Sequence, residues 1–210
     1  MKEMSKYIIF LVLFIKGTFL IGQIGLNYVL DYEGNKYKTV KIGTQYWLAE
    51  DLITSFYQNG DEIPNFKENE KWSSTKNGAW CFYKNNSSLS KTKLYNWYAT
   101  TDSRKICPIN WRVPTVMDWY RLESFLGGYK MTADKLRRSG DTNAFNSTLT
   151  GYRYEEGEFF SSIENYVMYW TSNEYYKGYS RSFSMFKNDS LTYFTTHSNN
   201  NGMAVRCIKN

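Results

Sequence analysis

Cysteine, histidine and proline are all scarce in this sequence of 210 residues, which holds three, one and three of them. Cys81, Cys107 and Cys207 have no C-x-x-C spacing, so neither a zinc ribbon nor a thioredoxin-type motif is offered. His197 is the sole histidine, and beside three scattered cysteines it makes a poor zinc ligand set. No metal and no cofactor are therefore expected. A Ser–His–Asp or Cys–His machine has to run through His197, which lies in "TTHSNNNG" and reads as a polar loop before the last strand. No G-x-S-x-G surrounds a serine, and there is no glycine-rich phosphate loop. Long basic runs are missing too. The net charge is +6, but Lys and Arg are interspersed with Asp and Glu, which argues against a nucleic-acid partner.

Aromatic residues are abundant: 19 Tyr, 13 Phe and 7 Trp. Such side chains suit pleated, half-buried surfaces and favour strands and turns over long helices. They also serve as stiff, amphipathic contact groups at binding surfaces. The amino-terminal stretch "MKEMSKYIIFLVLFIKGTFLIGQ" has a charged start, an apolar run from Tyr7 to Ile15, and small residues at Gly17 and Gly22. It reads as a secretory signal over residues 1–22, followed by one domain over 23–210. An uncleaved anchor is the rival, although the apolar run is short for a span and Lys16 interrupts it. Removing the three lysines and one glutamate of this segment lowers the net charge from +6 to +4.

Past residue 23 no linker divides the chain. "KYKTVKIGTQYWLAEDL" (36–52) alternates through Val40 and Ile42, breaks at Gly43-Thr44 and resumes at Tyr46, a hairpin pattern. Residues 58–78 are polar and turn-rich with Trp72 as an anchor, "AWCFY" reads as a buried strand, and "LYNWYATTD" collects three aromatics. The clearest helix opens at Thr115, a good N-cap, with Asp118 three residues on as an approximate capping box. Trp119, Leu122, Phe125 and Leu126 fall on one helical face, and Gly127-Gly128 supplies the exit. A second short helix is expected at 132–138, opened by Thr132. Beyond residue 140, "STLTGYRY", "EFFSS", "NYVMYWTSN", "SRSFSMF", "SLTYFTT" and "MAVRCIKN" read as short strands. Strands on either side of two short central helices indicate an α+β fold.

Candidate chemistry is thin. Two of the three cysteines are expected to pair in an exported protein, and the sequence by itself permits all three choices. Among the carboxylates, Asp118, Glu123, Glu155 and Glu156 offer acid/base pairs, but Asp118 reads as a cap and Glu123 as exposed helix face. The remaining asset is "MYWTSNEYYKGYSRSF" (168–183), which brings Trp170, Tyr175, Tyr176 and Tyr179 together with Asn173, Glu174 and Arg181. Flat rings beside amide and charged groups are what a sugar- or peptide-binding surface uses. The bland alternative makes Trp170 core and the tyrosines loop or edge-strand residues.

Taken in order, "VKIGTQYWLAEDL", "AWCFYKNN", "LYNWYAT", "CPINWRVPTVMDWYRLESFLGG", "LTGYRYEEGEF", "YWTSN" and "GMAVRCIKN" resemble the successive blocks of the Fibrobacter succinogenes major paralogous domain. The likeness runs over about residues 37–209. It departs from the usual blocks at Asp51, where Asn is usual, at Asn110, where Gly is usual, and at Asp118, where Glu is usual. The resemblance implies an exported or surface protein of bacteria of the Bacteroidetes–Fibrobacter kind, with no defined activity. "RVPTVMDWYRL" is also similar to a block of the formylglycine-generating enzymes, which implies a C-type-lectin-like fold. That likeness in turn implies a disulfide between Cys107 and Cys207, leaving Cys81 free or partly paired. The calcium motifs of C-type lectins are absent. Only Cys207 stands where formylglycine-generating enzymes keep a copper-binding cysteine pair.

These readings converge on an exported, non-catalytic module that recognises glycan or protein through Trp170, Asn173, Tyr175, Tyr176, Tyr179 and Arg181. In this reading the protein touches a membrane only through an uncleaved amino-terminal segment. The rivals are an enzyme related to the formylglycine-generating group and a self-associating surface subunit.

Overall fold

The computed structural model describes residues 28–137, 144–160 and 163–210. The expected signal, residues 1–22, lies outside them. No helix among the described residues is long and apolar enough to cross a membrane. Strand β1 (Tyr28–Leu30) pairs with β2 (Lys36–Ile42), and β2 turns back at Gly43 into β3 (Gln45–Leu48). This is the hairpin the sequence predicts. Gly43 takes φ 60°, the left-handed region where glycine is unstrained. The last strand, β10 (Ile208–Lys209), enters between β3 and β6 (Trp111–Arg112), giving the order β1-β2-β3-β10-β6. Asn110 precedes β6 at φ 67°, so an asparagine occupies a left-handed position there, the best-tolerated substitute for glycine.

The middle of the chain carries helix α1 (Asn69–Ser74), the hairpin of β4 (Trp80–Phe82) and β5 (Lys93–Tyr95), and helix α2 (Trp97–Thr101). Helix α2 falls in "LYNWYATTD", where the sequence suggests only an aromatic cluster. Asn96 starts it: its Oδ1 accepts from Ala99 N at 3.1 Å and Ala79 N at 3.0 Å, while Nδ2 donates to the Asn77 carbonyl.

Helix α3 (Val116–Phe125) has the full capping box. Asp118 N donates to Thr115 Oγ1, and Thr115 N donates to Asp118 Oδ2 at 2.7 Å. Its buried face is Trp119, Leu122 and Glu123. Two expectations need correction here. Phe125 lies outside the stripe, exposed across the Gly43 turn, and Glu123 is buried because Thr192 Oγ1 donates to its carboxylate. Gly127 and Gly128 end α3 at φ 98° and 91°, and Gly128 N donates to the Glu123 carbonyl. Helix α4 (Tyr129–Arg137) therefore starts three residues earlier than the predicted 132, and Thr132 sits inside it, bonded to the Gly128 carbonyl.

Strands β7 (Tyr166–Tyr176), β8 (Tyr179–Phe186) and β9 (Thr192–Ser198) form an antiparallel meander. His197 is thus a strand residue of β9 and not part of a loop. "STLTGYRY" and "EFFSS" yield isolated bridges in place of strands, such as Arg153 with Phe159, and residues 161–162 lie outside the described part. "MAVRCIKN" is strand only at Ile208–Lys209. Its first half runs extended between two sheets, bridging Met203 to Tyr95 and Ala204 to Tyr169.

That extended segment divides two apolar layers. On one side Trp170, Tyr95, Tyr57 and Leu52 pack together; on the other, Trp119 stacks on Phe183 with centroids 4.1 Å apart. Burying an aromatic side chain of this size stabilises the fold by roughly 1.5–3 kcal/mol. Cys107 and Cys207 are bonded, and Cys81 is free and buried. Burial pushes the Cys81 thiol up to about 12, which makes it unreactive at neutral pH.

Candidate functional site

The outer half of the β7–β8 hairpin projects past the packed part of its sheet. Register shifts at Glu174 and Tyr176 twist it, and Gly178 closes the turn at φ 86°. Glu174 Oε1 accepts from Gly178 N at 3.1 Å and Asn199 Nδ2 at 3.4 Å, which braces the tip from inside. Tyr175, Tyr176 and Tyr179 are 58%, 53% and 37% exposed. Tyr176 and Tyr179 stack with centroids 4.7 Å apart, Tyr175 meets Tyr176 edge-on, and the Arg181 guanidinium carbon lies 3.9 Å over the Tyr175 ring. Among the described residues Arg181 has no carboxylate within salt-bridge range.

Four of the six expected site residues thus share one surface. The other two do not. Trp170 is fully buried, and its Nε1 donates to the Tyr95 carbonyl at 2.8 Å, so its ring offers no face to a ligand. Asn173 Oδ1 accepts from Val116 N at 2.8 Å and caps the first turn of α3, fixing the hairpin to the helix. The surface also extends beyond the expected residues. Tyr120 on α3 is exposed and packs on Phe194 of β9 at 4.5 Å. Phe194 stands opposite Phe183, just as Thr196 stands opposite Arg181. The only signal for Tyr120 in the sequence is its place on α3, off the Trp119–Leu122 stripe.

The buried carboxylates and the buried Arg206 elsewhere have structural partners. Arg206 is completely buried, and its Nε donates to Asp51 Oδ1 at 2.9 Å, while Asp51 Oδ2 accepts from Thr92 and Thr148. Burial lowers the pKa of Arg206, but the Asp51 carboxylate outweighs burial and leaves it raised, so the guanidinium stays charged. For Asp118, burial raises the pKa, yet the bidentate Arg112 and the Thr115 hydroxyl hold the carboxyl below its usual range. His197 Nε2 lies 2.8 Å from Thr195 Oγ1, which lies 3.0 Å from Ser182 Oγ. Burial lowers the His197 pKa, and Ser182 at the far end of this chain is sealed beneath the sheet. Among the described residues no three or more His, Cys, Asp or Glu side chains group as metal ligands. A cleft of about 390 Å³ opens beside Cys107, Trp111 and Asp102, and a second of about 320 Å³ opens beside Asp51, Glu50 and Thr92. Ser172 of β7 reaches the first, but neither is lined by Tyr175, Tyr176, Tyr179 or Arg181.

The sequence pattern of the Fibrobacter succinogenes major domain matches residues 40–209, most of the chain. The chain belongs to that family. The match takes in the whole meander, the disulfide and the tyrosine hairpin of this Fibrobacter succinogenes major domain. No curated protein matches the chain, and no solved structure does.

Proposed function

We propose that this domain is an exported, non-catalytic module that binds a protein partner through Tyr175, Tyr176, Tyr179 and Arg181, on a C-type-lectin-like scaffold. The observation that carries the reading is a braced hairpin on which three exposed tyrosines share one surface with an arginine that has no carboxylate in range among the described residues. Tyr and Arg dominate the energetics of protein interfaces, because they combine large apolar area with polar ends. Neither of the two clefts is lined by these tyrosines, which favours a protein over a ligand gripped in a concave site. The scaffold assignment is supported by the last strand lying beside the first hairpin, by the Cys107–Cys207 bridge, and by two helices preceding a three-stranded meander. Export is supported by the Met1–Gly22 sequence. The non-catalytic reading is supported by the structural engagement of Asp51, Asp118, Glu123 and His197.

The test uses a yeast-displayed library of bacterial surface proteins and a glycan array, each probed with the wild type and with a Tyr175→Ala/Tyr176→Ala/Tyr179→Ala variant. Protein hits that weaken at least tenfold in the variant, at unchanged Tm, support the reading. Hits confined to glycans move the ligand class, and protein hits indifferent to the variant remove the hairpin from the interface.

A further inference from the structure

The sheet edges of this domain differ in how they are protected. Edges β1 and β6 of the five-stranded sheet are three and two residues long, too short to template a partner strand. Edge β9 is seven residues long and pairs with β8 residue for residue, without a bulge. Its sequence, Thr-Tyr-Phe-Thr-Thr-His-Ser, contains no Lys, Arg, Asp, Glu or Pro. Proteins ordinarily blunt an edge with charge, proline, a bulge or brevity, and β9 uses none of them.

The hydrogen-bond phase shows which backbone groups of β9 face outward. Ala204 N donates to the Met168 carbonyl at 3.0 Å and Trp170 N donates to the Ala204 carbonyl at 3.1 Å, so these two β7 residues turn away from β8. Bonding alternates along an antiparallel ladder. Tyr169 therefore exchanges bonds with Phe183, while Ser182 and Ser184 exchange them with Thr195 and Tyr193. The bond from Asn199 N to the Gly178 carbonyl, at 2.8 Å, has the same phase. Phe194 and Thr196 consequently point their N–H and C=O groups out of the sheet, and among the described residues nothing pairs with them.

We infer that Phe194–Thr196 is a docking edge that takes an extended segment of a partner protein as a fourth strand of the meander. The inference rests on reading the domain as a protein-binding module. Main-chain pairing supplies the attachment, and alternate side chains of the guest fall on opposite faces. One face offers Phe194 and Tyr120, an apolar aromatic surface; the other carries Tyr193, Thr195 and His197, a more polar surface whose hydroxyl and imidazole groups are bonded within the chain. A segment alternating apolar and polar residues fits both. The net charge of +4 that the domain keeps without residues 1–22 opposes pairing with a second copy and favours a neutral or acidic guest. Ser198 pairs with Tyr179, so the edge runs directly into the tyrosine hairpin.

The experiment is selection of random phage-displayed dodecapeptides on the full chain, followed by affinity measurement with the selected synthetic peptides. Thr196→Pro deletes one outward N–H, and Thr196→Lys keeps that N–H while adding a charge to the edge. The expected result is at least a tenfold loss of peptide affinity in Thr196→Pro and a several-fold loss in Thr196→Lys. Peptide binding should also slow hydrogen exchange at the Phe194 and Thr196 amides. If Thr196→Pro fails to fold, the Thr196→Lys affinity and the exchange data decide. Failure to select any peptide overturns the edge, as does affinity unchanged in both variants. A dimer that Thr196→Lys dissolves replaces the guest with a second copy and overturns it equally. The tyrosine variant, measured on the same peptides, judges the hairpin separately. Loss there with indifference at Thr196 leaves a protein-binding module without this docking edge.

Discussion

The two halves of β7 carry similar side chains to different ends. Tyr166 to Trp170 is apolar and wholly buried, whereas Glu174 to Tyr176 lies in solvent. The difference comes from what covers each face. The inner half is layered between the Trp119–Phe183 stack on one side and the Tyr95 strand on the other. The outer half, past the register shift, has neither neighbour. Two arginines repeat the contrast. Arg206 lies 4.3 Å over Phe145 with the Asp51 carboxylate beside it and no solvent, while Arg181 lies 3.9 Å over Tyr175 with no carboxylate in range among the described residues. Ring and cation together are thus a core device in one place and an available contact in the other.

Substitutions separate the two halves by size of effect. Trp170→Ala should cost about 3–5 kcal/mol of stability in urea unfolding, because it opens a large cavity and removes one of the two donors to the Tyr95 carbonyl, the other being Met203 N. A cost below about 1 kcal/mol would show that the inner half is not packed as described. Asp51→Ala should cost about 3 kcal/mol or slightly more by leaving Arg206 buried and unpaired, whereas Arg181→Ala should stay within about 0.5 kcal/mol. Asn173→Ala, which uncaps α3 at the junction of the halves, should cost about 1 kcal/mol.

The effect at His197 depends on pH. Its pKa is lowered in the folded state, so the unfolded chain binds the proton more readily. Stability from this residue is therefore present above its ordinary value of 6.5 and is lost as pH falls through the depressed folded pKa. His197→Asn should flatten the acid side of the Tm-against-pH curve below pH 6.5. Tyr176→Ala should be the smallest, within about 0.5 kcal/mol in the same urea titration.

What the sequence makes legible is what neighbouring residues decide. Thr115, Asp118 and Gly127 mark α3 because a cap, its reply and a left-handed exit all act within a turn or two. The β2–β3 hairpin is legible for the same reason. Glu123 reads as exposed because its partner Thr192 is 69 positions away, and Asp51 gives no hint of Arg206, 155 positions on. At the candidate site the tyrosines are legible as a cluster, since a two-residue turn brings them together. Trp170 belongs instead to a continuous apolar run, which in a strand covered on both faces signals burial more strongly than any aromatic platform. Asn173 acts on a helix 57 positions earlier, and Tyr120 meets Phe194 only in the folded chain. The Cys107–Cys207 pairing, implied by family likeness, is the long-range feature that composition and spacing leave open.

That disulfide also sets how the domain bears mechanical load. It joins positions 100 apart, and the meander with its tyrosine tip lies inside the loop it closes. Tension applied between Tyr28 and Lys209 passes through the sulfur–sulfur bond, so about 330 Å of chain is withheld from extension. Only the residues before Cys107 and the last few after Cys207 can pay out. Pulled between those two ends, the domain would keep its meander folded while β1, β2 and β3 gave way.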